Sequence, residues 1–336
     1  MVRKRCKSFT CGAALGLVLC FAITLEPAGP PPRQFKLQAL LPQFWNLVPR
    51  HAKLTRIATG FGFTEGPVWD RKNFLYVSDE VQNKIYRVYP DGRRETVASL
   101  VDPDGNTYDL DLNLLDCASI LHAIIRVRPT GRYTILADRF EGKSFNSPND
   151  VVLGPDRAIY FTDPTLDLPK GQKQEIPFQG VYRLDSRGKI QLETKDLTQP
   201  NGLAFSPDGK HLYIDDSDQR NIRVYTFNAD GTLSGGRIFG DEKAGPGDGV
   251  PDGMKLDSRG DLFVVGPKGI WVWDAQGRHL GTIVVPEQPA NLAWGDHDYR
   301  TLYITATTSV YRLRVRVRGF IPYLAYVQKT SVIHRQ

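Results

Sequence analysis

The chain has 336 residues, 41% of them apolar and 24% charged, which is the composition of a globular protein and excludes a disordered or coiled-coil chain. Its 31 Gly and 23 Pro favour frequent chain reversal, hence many short strands over long helices. The formal charge is +6, but Arg3, Lys4, Arg5 and Lys7 against Glu26 place half of it in residues 1–28, and no Lys/Arg run marks a nucleic-acid track.

The chain starts with a basic cluster, an apolar run over 11–25 and then Glu26 and the Pro-rich stretch 27–32. This order predicts a secretory signal or N-terminal anchor over 1–28, so that the protein is exported and touches a membrane only through this segment. A Pro-rich linker is expected over 29–50. Cys6, Cys11 and Cys20 lie in the leader, leaving Cys117 alone in the folded part, so no intramolecular disulfide can hold it.

From residue 65 onward one unit recurs. Each copy has a turn bearing an acid or amide, a short apolar strand, a Leu-Tyr-Val type strand and a Tyr-Arg-Val type strand. The first reads EGPVW (65–69), FLYVSD (74–79), KIYRV (84–88). A weaker copy follows with NTYDL (106–110), NLLDC (113–117), IIRV (124–127). The third reads NDVVL (149–153), AIYFTD (158–163), GVYRL (180–184), and the fourth NGLAF (201–205), HLYIDD (211–216), NIRVY (221–225). The fifth reads DGMKL (252–256), DLFVV (261–265), GIWVW (269–273), and the last NLAW (291–294), TLYIT (301–305), SVYRL (309–313). Turn signals at 90–92, 206–209 and 229–231 separate strands. Six strand-built units predict an all-β, six-bladed β-propeller over 51–316, with a C-terminal tail over 317–336. Arg312, Arg314, Arg316 and Arg318 alternate with apolar residues, as in a strand with one solvated face.

In a propeller the first strand of each blade lines the channel, so Glu65, Asn106, Asn149, Asn201, Asp252 and Asn291, which open the copies, are expected in one ring. A single Pro-Asn or Pro-Asp pair is an ordinary turn; the shared phase is what points to a site. Glu65 and Asp252 offer two charges, and Asn149 and Asn201 neutral oxygens, a donor set for a hard divalent cation, Ca²⁺ first with Zn²⁺, Mg²⁺ or Mn²⁺ as alternatives. None of the six His residues shares the phase, which argues against a transition-metal centre. A Gly-x-Ser-x-Gly elbow and a phosphate loop are both missing, leaving metal-assisted chemistry with Asp252 as general base.

At these residues the chain resembles the SMP-30/gluconolactonase/luciferin-regenerating family, from about Ile57 to Val315. The carrying segments are TEGPVW (64–69), ADRFEGK (137–143), NSPND (146–150), YFTDP (160–164), PNGL (200–203) and PDGM (251–254). The resemblance implies a six-bladed propeller that opens lactones with a channel-bound divalent metal. It makes Glu65, Asn201 and Asp252 ligands, Asp252 also the base, and Asn149 a contact to metal or substrate. It also implies that Asn106 faces the site and that a strand near 51–58 closes the last blade. Relatives read Cys-Glu-His-Gly in the second blade, where this chain has Cys117, Ala118, Ser119 and Ile120, so substrate choice is expected to differ. Two other readings remain open at this stage. One is a non-catalytic ligand-binding propeller with structural Ca²⁺. The other is a paraoxonase-like arylesterase or acyl-lactonase, suited by Ile120, Leu121, Ile124 and Ile125.

Overall fold

A computed structural model describes residues 33–245 and 247–326. The leader expected over 1–28 lies outside the described residues.

Strands rich in β-branched and aromatic residues between tight turns build six antiparallel blade sheets, with a two-stranded ribbon of Arg139–Phe140 and Lys143–Ser144 beside them. From channel to rim, blade 1 is Thr64–Asp70, Phe74–Asp79, Lys84–Val88, Arg94–Ser99, and blade 2 is Pro103–Tyr108, Leu114–Ala118, Ala123–Val127, Tyr133–Ala137. Blade 3 is Val151–Leu153, Ile159–Asp163, Gly180–Leu184, Ile190–Thr194, and blade 4 is Pro200–Phe205, His211–Asp216, Asn221–Phe227, Leu233–Asp241. Blade 5 is Met254–Leu256, Leu262–Gly266, Gly269–Trp273, His279–Val284, and blade 6 begins Pro289–Gly295, Thr301–Ala306, Ser309–Arg314. Each inner strand touches the next and the last returns to the first, so the blades form a closed ring, a six-bladed β-propeller.

The outermost strand of blade 6 is Leu54–Thr59, which pairs antiparallel with Ser309–Arg314, Leu54 facing Leu313. The two ends of the propeller chain are thereby joined in one sheet. The junction is packed as well as hydrogen-bonded: Trp69 of blade 1 stacks on Tyr303 of blade 6, ring centroids 5.1 Å apart. Arg314, Arg316 and Arg318 point to solvent while Leu313, Val315 and Val317 are buried, which places the Arg series on one wet face.

The described part of the expected linker is not a linker. Lys36–Ala39 is a fifth strand on blade 5, paired with His279–Val284. The helical turn Phe44–Leu47 buries Phe44, Leu47 and Val48 in the core shared by blades 5, 6 and 1. The open edge of blade 5 supplies hydrogen bonds, and the apolar side chains of 35–48 supply the burial that the preceding prolines had masked.

The tail also belongs to the fold. Gly319 bridges to Asp257, and residues 322–326 are helical. Tyr323 and Tyr326 are buried, and the Tyr323 hydroxyl donates to the Trp69 carbonyl at 2.8 Å. Phe320, Ile321, Pro322 and Tyr323 join Pro67, Val152, Leu203 and Trp294 around a small apolar cavity of about 50 Å³ inside the channel. The tail residues 320–323 thus pack at one end of the channel. Removing a buried aromatic ring typically costs about 3–5 kcal/mol. Tyr323→Ala should therefore lower unfolding free energy in urea by roughly 3 kcal/mol or more, whereas an idle tail would leave the midpoint unmoved.

Candidate active site at the channel mouth

The strand register says which residues share the ring. Tyr76, Leu115, Tyr160, Tyr213, Phe263 and Tyr303 occupy one position on the six second strands. They face Val68, Thr107, Val152, Ala204, Lys255 and Ala293 on the inner strands. Three residues before those partners stand Glu65, Asp104, Asn149, Asn201, Asp252 and Ala290. Four of the expected ring members are therefore in phase, and two are not: Asp104 takes the place expected for Asn106, and Ala290 that of Asn291. One-residue bulges at Glu65–Val68, Pro103–Asn106 and Pro200–Leu203 turn the ring side chains out of the sheet plane. The backbones crowd here. A Cβ on Gly66, which has φ +49°, would lie 2.1 Å from the Asp104 carbonyl, and one on Gly253 would strike the Asn291 amide.

Glu65, Asp104, Asn149, Asn201 and Asp252 line one pocket with Glu80, Asp167 and Ser217. Its volume of about 420 Å³ falls in the ~300–1,000 Å³ range of small-molecule sites. Phe63, Val81, Leu166 and Val250 complete it, and Val81, Leu166 and Val250 are exposed. Asn106 and Asn291 lie one layer deeper. The Asn106 amide donates to Ser78 Oγ at 2.7 Å and to the Gly66 carbonyl at 2.9 Å, tying blade 2 to blade 1. Asn291 donates to Glu65 at 2.9 Å and accepts from Lys255 at 3.2 Å.

The hydrogen bonds fix which oxygens face the pocket. Glu65 Oε2 accepts from the Gly66 amide at 2.7 Å and from Asn291, leaving Oε1 unbonded. Asn149 Nδ2 donates to Asp104 Oδ2 at 2.7 Å and lies 3.5 Å from Asp167 Oδ2. With its NH₂ on these two acids, Asn149 Oδ1 accepts no hydrogen bond among the described residues. Asn201 Nδ2 donates to Ser217 Oγ at 3.2 Å, and Ser217 donates onward to the Pro251 carbonyl at 2.7 Å, which frees Asn201 Oδ1. Among the described residues no donor reaches the Asp252 carboxylate.

Electrostatically the pocket is one-sided. Five carboxylates line it and, among the described residues, no Lys, Arg or His does. Burial, partly offset by the Gly66 and Asn291 donors, raises Glu65 to about 7. Burial and then the Glu65 charge push Asp252 well above the carboxylate range, and burial with Glu80 and Glu65 does the same to Asp104. Glu80 is pushed up to about 10, again by burial first and then Glu65. Each of these acids resists ionising beside the others, and a cation relieves all of them together. Among the described residues no three His, Cys, Asp or Glu side chains suffice to hold a metal by themselves. The unbonded oxygens of Glu65, Asn149, Asn201 and Asp252 do form a mixed carboxylate–amide set, which fits a hard divalent cation.

A family profile described as the SMP-30/Gluconolactonase/LRE-like region matches residues 63–308. The chain belongs to this family. It is 34% identical over 297 residues to a gluconolactonase of Zymomonas mobilis, covering 78% of this chain and 81% of that protein. It is 27% identical over 263 residues to the pentonolactonase XacC of Haloferax volcanii, covering 75% and 84%. The solved structure of a Xanthomonas campestris gluconolactonase superposes with a TM-score of 0.78 at 30% identity, over 87% of this chain and 99% of that one.

Within this family member the unusual second blade is built around Ser119. That side chain is buried, 2.7 Å from the Pro148 carbonyl and 3.2 Å from Asp104 Oδ2. It does not line the pocket; it supports Asp104 and, through Pro148, the start of Asn149. Ile124 and Ile125 are core residues, and neither Ile120 nor Leu121 lines the mouth, so the apolar second blade does not shape the pocket. His122 sits aside, with Nε2 2.8 Å from the Gln172 amide nitrogen. Leaving the buried Pro148 carbonyl unpaired should make Ser119→Ala cost about 1–3 kcal/mol in chemical denaturation. Ser119→Thr, which keeps the hydroxyl, tests packing in the same assay.

Proposed function

We propose that the protein opens a sugar lactone at the channel mouth with the help of one divalent cation, Ca²⁺ by the character of its donors, held by Glu65, Asn149, Asn201 and Asp252. The carrying observation is that these four residues, from four blades, line one acidic pocket that among the described residues has no Lys, Arg or His, and that each keeps an oxygen without a hydrogen-bond donor. The relatives named gluconolactonase and pentonolactonase support the reaction class. The protein is a lactone hydrolase, a carboxylic ester hydrolase.

When bound, the cation supplies a Lewis acid that polarises the lactone carbonyl and lowers the pKa of nearby water. The chain's own residues do the rest. Asp252, with no donor on its carboxylate, takes the proton as water adds to the carbonyl carbon. It returns the proton to the ring oxygen as the C–O bond breaks, giving the open hydroxy acid. Asp104 and Asp167 hold the Asn149 amide in one orientation, and Ser217 does so for Asn201.

Chelation followed by gel filtration should abolish lactone opening, read as acid release at constant pH, and added Ca²⁺ should restore it. Asp252→Asn should reduce kcat by roughly 10²–10⁴-fold with the circular dichroism spectrum unchanged. Full turnover by the metal-stripped protein would sink the metal-dependent reading.

The exposed Val81, Leu166 and Val250 at the mouth favour a second reading, a preference for lactones or esters with an apolar substituent. Comparing glucono-δ-lactone with an acyl lactone and phenyl acetate decides between them. The sugar lactone should have the highest kcat/KM; an aryl ester in that place would reverse the order.

A further inference from the structure

The inner-strand tier below the ring holds one residue that its neighbours do not explain. Val68, Thr107, Val152, Ala204 and Ala293 are small or apolar, and the sixth member is Lys255. All six line the small channel cavity, so the Lys255 stem runs along a mostly apolar wall. Among the described residues its one side-chain hydrogen bond goes upward, to Asn291 Oδ1 at 3.2 Å.

Asn291 passes this contact on. Its Oδ1 also takes the Leu292 backbone amide at 2.9 Å, so two N–H donors mark that atom as the oxygen. The NH₂ is left for Glu65 Oε2 at 2.9 Å. Glu65 Oε2 is then held from two sides, by Asn291 and by the Gly66 N–H at 2.7 Å. Turning the carboxyl group would break both bonds, which leaves Oε1 as the oxygen offered to a cation. Asn291 has little room to drift, since a Cβ on Gly253 would lie 2.0 Å from its amide carbon.

We propose that Lys255 is a positioning residue of the cation site: it holds the Asn291 amide in the one orientation that presents NH₂ to Glu65, and so aims Glu65 Oε1 at the cation. This rests on the metal-dependent reading above. Partners that orient a metal ligand from outside commonly carry 10–100-fold of metal affinity. A Lys beneath a cation also repels it, so positioning and simple charge predict opposite signs when Lys255 is replaced.

The experiment is a calorimetric titration of Ca²⁺ into the metal-stripped full chain, for the wild type, Lys255→Met, Asn291→Ala and the double variant, each checked for folding by circular dichroism. Methionine keeps an unbranched stem suited to the apolar wall. Lys255→Met should raise the Kd for Ca²⁺ roughly tenfold, and Asn291→Ala at least as much. The double variant should bind no more weakly than Asn291→Ala, because Lys255 acts through Asn291. An unchanged or lower Kd in Lys255→Met, which loss of a like charge alone would give, overturns the proposal, as does an additive loss in the double variant. Should Lys255→Met not fold, Asn291→Ala decides: a raised Kd supports the relay and an unmoved one overturns it. If the wild type binds none of Ca²⁺, Mg²⁺, Mn²⁺ and Zn²⁺, the metal reading fails and takes this proposal with it; if the wild type binds and Lys255→Met binds as tightly, the proposal alone fails.

Discussion

The structure depends on closing six blades into a ring. Leu54–Thr59 can complete blade 6 only if the chain has turned through the full circle, and Trp69 can stack on Tyr303 only at that closure. Closure brings the starts of six inner strands, spread over more than 200 residues of sequence, to one axis. Backbones then approach so closely that Gly66 and Gly253 have no room for a side chain, and the residues before them must turn into the channel mouth. The site is therefore a consequence of the architecture. Five blades contribute one residue each at a fixed register position, and Glu80, Asp167 and Ser217 from outside the inner strands complete the pocket.

The choice made here is heavily acidic. Three of the six ring positions are carboxylates and two are amides whose NH₂ groups are consumed by neighbours. The resulting acids raise one another, with burial as the larger cause and mutual repulsion as the second. A fold that concentrates charge in this way is stable only because the cost falls on one locus while the blades pack through apolar clusters elsewhere. Below the ring lies a small cavity lined mostly by apolar side chains, the tail residues Phe320, Ile321, Pro322 and Tyr323 among them.

Much of this was legible in the residues before any coordinates. The repeating strand triplets disclosed six blades, and Pro148-Asn149, Pro200-Asn201 and Pro251-Asp252 disclosed three ring positions because each pair sits in the same phase as its strand. Asp104 escaped because blade 2 carries Asn106 two residues later, and the amide there looked like the ring residue. The better signal was the triplet Pro103-Asp104-Gly105, which repeats Pro200-Asn201-Gly202 and Pro251-Asp252-Gly253; it reads locally as a turn and only the register shows it to be a bulge. Glu80 and Asp167 had no phase at all, since they lie outside the inner strands. Segment 35–48 is hidden for a different reason: its apolar residues have no partner in their own sequence, and only the edge of blade 5 supplies one.

Asp104 and Ser119 show how such a ring changes without breaking. The small Ser119 hydroxyl stands beside the space at the neighbouring ring position. Asp104 fills that space, takes the Ser119 hydroxyl within 3.2 Å and fixes Asn149 at 2.7 Å. Blade 2 is thus tied sideways to blade 3 through the Asn149–Asp104 hydrogen bond. In a ring of adjacent strand starts the neighbour of each site residue is another site residue, so a change in one blade alters the charge of the whole mouth.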